Sequence, residues 1–62
     1  MCDQTVYMLE GNTPRLIMSS VEKIESENGA IRITDIFGEE KRVENAVFCS
    51  LDQNRFYIRA KR

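Results

Sequence analysis

The sequence predicts an all-β fold, a small antiparallel β-barrel of six or seven short strands with little helix, spanning residues 1–62 as one domain. Three observations carry this. Turn signals recur at roughly 8–12-residue spacing, the rhythm of a barrel or sandwich. The segments between them are rich in Val, Ile, Tyr, Phe and Thr, which suit a pleated surface. Several of those segments alternate apolar with polar residues, as a half-buried strand does.

The elements follow in order. Thr5–Leu9 carries Thr, Val and Tyr and reads as the first strand. Glu10-Gly11-Asn12-Thr13-Pro14 is a turn, and Arg15–Met18 is a short apolar run. Ser19–Glu27 is ambiguous. Ser19 with Glu22 imitates a helical capping box, and Val21 with Ile24 sits at i, i+3. Gly29 follows too soon for a stable helix, so a strand interrupted by a bulge is favoured. Glu27-Asn28-Gly29 holds the Asn-Gly pair of a tight hairpin. Ala30–Ile36 alternates, with Ile31 and Ile33 on one face and Arg32 and Thr34 on the other. Phe37-Gly38-Glu39-Glu40 turns into Lys41–Asn45, centred on Val43. Val47, Cys49 and Leu51 share a face, opposite Phe48 and Ser50. After a turn at Asp52-Gln53-Asn54, Phe56 and Ile58 share a face, opposite Tyr57 and Arg59.

A 62-residue chain buries only roughly 60% of its unfolded surface, so such a domain is marginal alone. Tyr7, Met8, Leu9, Leu16, Ile17, Met18, Phe37 and Phe48 exceed what one small barrel can hold inside. Some of them are expected to cover a two-fold homodimer interface.

The composition narrows the chemistry. The chain has no histidine, the commonest general base and a common metal ligand. It has neither a Gly-rich phosphate loop nor a Ser-His or Cys-His pair, so it does not read as an enzyme. Its two cysteines are too few for a disulfide scaffold. No apolar run approaches the roughly 20 residues of a membrane helix. Met1-Cys2-Asp3-Gln4 has an acid where a signal peptide has its basic region, so a cytoplasmic location is expected.

Cys2 is the unusual residue by position. If Met1 is removed, the Cys2 α-amine and thiol close a five-membered N,S chelate on one metal ion. If Met1 stays, its amine, the Cys2 amide nitrogen and the Cys2 thiolate form two fused rings. Either set suits a square-planar ion such as Ni(II) or Cu(II). The amine titrates ordinarily near roughly 7.7–8.0 and the thiol near about 8.5, so a cation displaces both protons around neutral pH. Asp3 adds an oxygen donor or simply attracts the cation. Two such termini brought together by a dimer axis supply four donors. The candidate metal residues are therefore Cys2, Met1 and Asp3. Cys49, in phase with Val47 and Leu51, reads instead as a small buried hydrophobe.

Charge offers a second reading. Arg55, Arg59, Lys61 and Arg62 occupy the C-terminal segment without an acid, whereas residues 1–54 carry a formal −5. A basic strand beside Phe56 and Tyr57 is the pattern of a small RNA-binding barrel. The overall net charge of −1 argues against nucleic acid as the partner.

Met1-Cys2 at the start, Thr5-Val6-Tyr7-Met8-Leu9, Ile31-Arg32-Ile33-Thr34-Asp35-Ile36-Phe37-Gly38-Glu39-Glu40, and Leu51-Asp52 followed by Arg55-Phe56-Tyr57-Ile58 together resemble the CooT family. These are small nickel-binding accessory proteins of carbon monoxide dehydrogenase maturation. The resemblance implies a small β-barrel homodimer that binds Ni(II) and delivers it to a client nickel enzyme. By position it carries a ligand role to Cys2 alone, and the nitrogens around Met1, Cys2 and Asp3 follow from the chemistry above. The absence of a His-rich tail argues against bulk nickel storage.

Overall fold

The computed structural model describes residues 4–61. The chain forms six strands: β1 (Gln4–Glu10), β2 (Thr13–Glu27), β3 (Ala30–Asp35), β4 (Glu40–Val43), β5 (Ala46–Asp52) and β6 (Arg55–Ala60). They make one sheet in the order β4-β3-β2-β1-β6-β5. The all-β expectation is borne out, with six strands and no helix among the described residues.

The ambiguous segment after Met18 is strand, and it carries irregularities. β2 is 15 residues long. Straight, it would run about 46 Å at roughly 3.3 Å per residue. The longest dimension of the molecule is 33 Å. β2 must therefore bend, and it does so around Ser20, whose φ is +53°. Residues 13–18 pair with β1, Val21 pairs with both β1 and β3, and residues 23–27 pair with β3, with register shifts on both sides. Such irregularities let one strand turn a corner between two halves of a sheet.

The connection between the edge strands shows how far the sheet folds over. Laid flat, six strands would hold β4 and β5 about 24 Å apart at roughly 4.8 Å per spacing. Only Glu44 and Asn45 join Val43 to Ala46, which limits that gap to about 11 Å. The Ala46 N–H also donates to the Gly29 carbonyl at 3.0 Å, tying the β2–β3 turn to the start of β5. The two edges meet at this corner, but β4 and β5 do not pair, so the sheet is not closed into a full barrel.

One pair departs from the expected antiparallel plan. β1 and β6 run parallel, in register from Thr5↔Arg55 to Leu9↔Arg59. A tight hairpin enforces antiparallel neighbours, but no hairpin joins these two strands. β6 starts beside the start of β1, where the Thr5 N–H donates to the Asn54 carbonyl at 2.8 Å.

The turns match their residues. Asn28 and Gly29 both have positive φ (51° and 78°), as a type I′ hairpin demands. A turn at Glu44-Asn45 replaces the expected end of the fourth strand, which stops at Val43. Asn45 takes φ +51°, a conformation that Asn tolerates better than most residues.

The core is Val6, Met18, Val21, Ile31, Ile33, Ala46 and Ile58, with Met8, Ile17, Ile24, Val43 and Phe56 packed against it. Met18, counted among the apolar residues in excess of a small barrel's interior, lies in the core. Cys49 corrects another expectation, because it is exposed. The register steps from Phe48↔Ile58 to Ser50↔Tyr57, leaving Cys49 as the extra residue of a bulge. Strict alternation past Val47 fails there, and the thiol loses the phase that would bury it.

On the polar face, Arg32 reaches Glu25 at 2.7 Å, Glu27 at 3.2 Å and Glu40 at 3.1 Å. Three carboxylates from β2 and β4 thus converge on Arg32, while its cross-strand neighbour Arg42 pairs with Glu44 at 2.7 Å. The hydrogen bond from Arg32, then the charge of Lys23, holds the Glu25 carboxyl below its ordinary value. A carboxylate lowered in this way stabilises the fold above its unfolded pKa and loses that contribution as pH falls through its folded one.

Two outcomes follow. Ile33 is fully buried, so Ile33→Ala should lower unfolding free energy by about 2–5 kcal/mol, read by urea titration. Arg32→Ala should raise the Glu25 titration midpoint part of the way back toward the ordinary glutamate value, read by NMR of the side-chain carboxyl. Lys23 would retain the remainder of the shift.

Candidate metal centre

The candidate ligands Met1, Cys2 and Asp3 lie outside the described residues. The chain following them enters the sheet at a well-defined place. Gln4 opens β1 opposite Val21 of β2, and Val21 in turn faces Asp35 of β3. On the other flank Thr5 faces Arg55 of β6. β1 is therefore an interior strand, held on both sides from its first residues.

Asp35 organises the ground next to this point. It is a buried charged residue, and its Oδ1 accepts from the Phe37 N–H at 3.0 Å and the Glu39 N–H at 2.8 Å. Its own N–H donates to the Glu39 carbonyl, and its carbonyl accepts from Gly38 N–H. The Ile36 N–H donates across to the Ser20 carbonyl at 2.9 Å. Gly38 supplies the φ of +89° that closes the loop. The outcome is a pinned tip in which Ile36 is 59% and Phe37 81% exposed. Sequence reasoning placed Asp35 only as the end of a strand. Its signal was an Asp three residues before a Gly, which is a turn-forming pattern.

Other candidates are dispersed. Cys49 sits two strands from β1, near the level of Tyr7. Among the described residues, no group of three or more His, Cys, Asp or Glu could hold a metal ion. The basic segment puts Arg55, Tyr57 and Arg59 on one face of β6, where Tyr57 stacks on Tyr7 with ring centroids 5.6 Å apart. An open concavity of about 640 Å³ lies at the far end of β1, lined by Leu9, Gly11, Val47, Arg59 and Lys61 among others.

Alternation and register place a second feature on the outward face. Leu16, Tyr7 and Tyr57 form one rung across β2, β1 and β6, and Pro14, Leu9, Arg59 and Val47 form the next. Tyr7, Leu9, Val47 and Tyr57 are half-buried and Leu16 is exposed. This is a largely apolar band opposite the core. It includes three of the residues expected at a subunit interface.

The fold has a known counterpart. A crystal structure assigned to CooT from Carboxydothermus hydrogenoformans superposes with a TM-score of 0.84, covering 98% of this chain and 100% of that one at 21% identity. Comparison with curated proteins found no match. The sequence profile of the family described as CO dehydrogenase accessory protein CooT matches residues 1–55. With the profile extending from Met1 to the first residue of β6, this chain belongs to the CooT family of CO dehydrogenase accessory proteins.

Proposed function

We propose that this protein binds Ni(II) at its N-terminal cysteine and hands the ion to CO dehydrogenase, acting as a homodimer in the cytoplasm. The observation that carries this reading is Cys2, a thiol beside the terminal amine in a histidine-free chain of an accessory-protein family. Nickel is cargo here, and the protein performs no catalysis of its own.

The chemistry follows from the donors. A thiolate is a soft, strong donor, and amine or amide nitrogen completes a set that Ni(II) accepts in square-planar geometry. Binding releases the thiol proton and a nitrogen proton, so capture weakens as pH falls below the ordinary range of those groups. One terminus offers two or three donors from Met1 and Cys2, with Asp3 adjacent. Two termini in a dimer offer a complete set, and an incoming donor from the client can replace them one at a time. Reduced thiols are the ordinary state of the cytoplasm, which keeps Cys2 available.

The apolar band of Tyr7, Leu9, Leu16, Val47 and Tyr57 supports the dimer. It lies on the same central strand that follows Cys2. A two-fold axis over β1 would use the same patch on both copies.

Titrating untagged protein with Ni(II) should produce thiolate-to-nickel charge-transfer absorption. Cys2→Ser should abolish that band and Cys49→Ser should leave it; a band indifferent to Cys2 would overturn the site. Leu9→Glu should reduce the mass seen by sedimentation to the 7.2 kDa of one chain. An unchanged sedimentation mass would place the interface elsewhere.

A further inference from the structure

We propose that the Ile36-Phe37 tip is the knob by which this protein docks on the nickel-free client enzyme, the step before metal transfer. The inference rests on the nickel-delivery reading above and assigns its partner-recognition element.

Exposure and rigidity point the same way. Phe37 is 81% exposed and Ile36 59%, the two most exposed large hydrophobic side chains among the described residues. The tip is not loose. The two bonds to Asp35 Oδ1, the two backbone bonds between Asp35 and Gly38–Glu39, and the Ile36–Ser20 bond fix it. An aromatic side chain presented in a set conformation loses little further entropy on binding, which is how interface hot spots act.

Size selects the type of partner. The exposed parts of Phe37 and Ile36 amount to roughly 300 Å², taking about 150–250 Å² for a whole large side chain. A stable interface needs about 800 Å² per partner. The tip is too small to hold a permanent dimer, and the band around Tyr7 and Leu9 is the better candidate for that role. A small knob suits a brief encounter, which a protein that releases its cargo requires.

Position selects the client. Gln4, Val21 and Asp35 lie opposite one another across β1, β2 and β3, so the loop is rooted two strand spacings, about 10 Å, from the first described residue after the proposed ligands. A partner seated on Phe37 therefore meets the sheet beside the point where β1 begins at Gln4, two residues after Cys2 in sequence. Charge describes the pocket that would receive the tip. Glu39 is exposed, and no described cation lies within 4.0 Å of it, whereas Glu40 is taken by Arg32. The complementary site is an apolar pocket with a cationic rim. The same acid disfavours an anionic lipid surface as the target.

The test measures binding of the full-length protein to purified nickel-free CO dehydrogenase, alongside nickel titration and sedimentation of each variant. Phe37→Ala should weaken client binding by about 10–100-fold, with nickel binding and sedimentation mass unchanged. Phe37→Leu should keep most of the affinity. Asp35→Ala should weaken binding with Phe37 intact, because the tip is released. Wild-type affinity in Phe37→Ala would overturn the docking proposal and leave nickel delivery standing. So would a fall of Phe37→Ala to single-chain mass, which would assign the tip to self-association. If the wild-type protein binds nickel but never the client, both delivery and docking fall.

Discussion

The bend in β2 is the constraint on which the rest of this fold depends. A single 15-residue strand serves two halves of the sheet, its first part pairing with β1 and its second with β3. Without the turn at Ser20, Ile31 and Ile33 would not come over Val6 and Ile58, and the buried cluster would be cut in two. The same bend lets Glu44 and Asn45 span opposite edges of the sheet. It also supplies the Ser20 carbonyl that anchors Ile36. Core, edge connection and loop thus share one irregular backbone position. Ser is a small residue, and its polar side chain makes such a position tolerable more readily than a β-branched one would.

Much of the architecture was legible because local chemistry and global fold agree. Asn28-Gly29 announces its hairpin, and the alternation of Ile31 and Ile33 against Arg32 and Thr34 announces a half-buried strand. The broken period between Val21 and Ile24 announced a bulge, which the register shift between Val21 and Lys23 contains. What escaped depended on pairing between distant segments. Cys49 was misplaced because a bulge in β5 is set by how β6 lies against it, and no short stretch of sequence records that. The parallel β1–β6 pair escaped for the same reason. The turn at Glu44-Asn45 resembles strand ends elsewhere in the chain, and only the crossing from one edge to the other reveals it.

The candidate site was legible in a different sense. Cys2 stands out through chemistry, because sulfur beside a terminal nitrogen is the best donor pair in a chain without imidazole. Ile36 and Phe37 were legible only in part: Phe37 counted among the apolar residues in excess of a small core, but nothing in the sequence showed the two held outward. Their significance comes from Asp35, whose buried carboxylate spends both of its loop contacts on holding the next residues outward. A buried charge satisfied by backbone N–H groups can fix a loop as firmly as a hydrophobic anchor does.

The interior place of β1 also governs the order in which the molecule is made. β1 is made before the other five strands, yet one of its two neighbours is β6, the last of the six. The β2 side can form early as a local hairpin, but the β6 side has to wait for almost the whole chain. Long-range pairings of this kind form slowly, because a large loop closes before they gain anything. β1 is therefore seated last on its β6 flank. Until β6 has been made, β1 is paired on its β2 side alone.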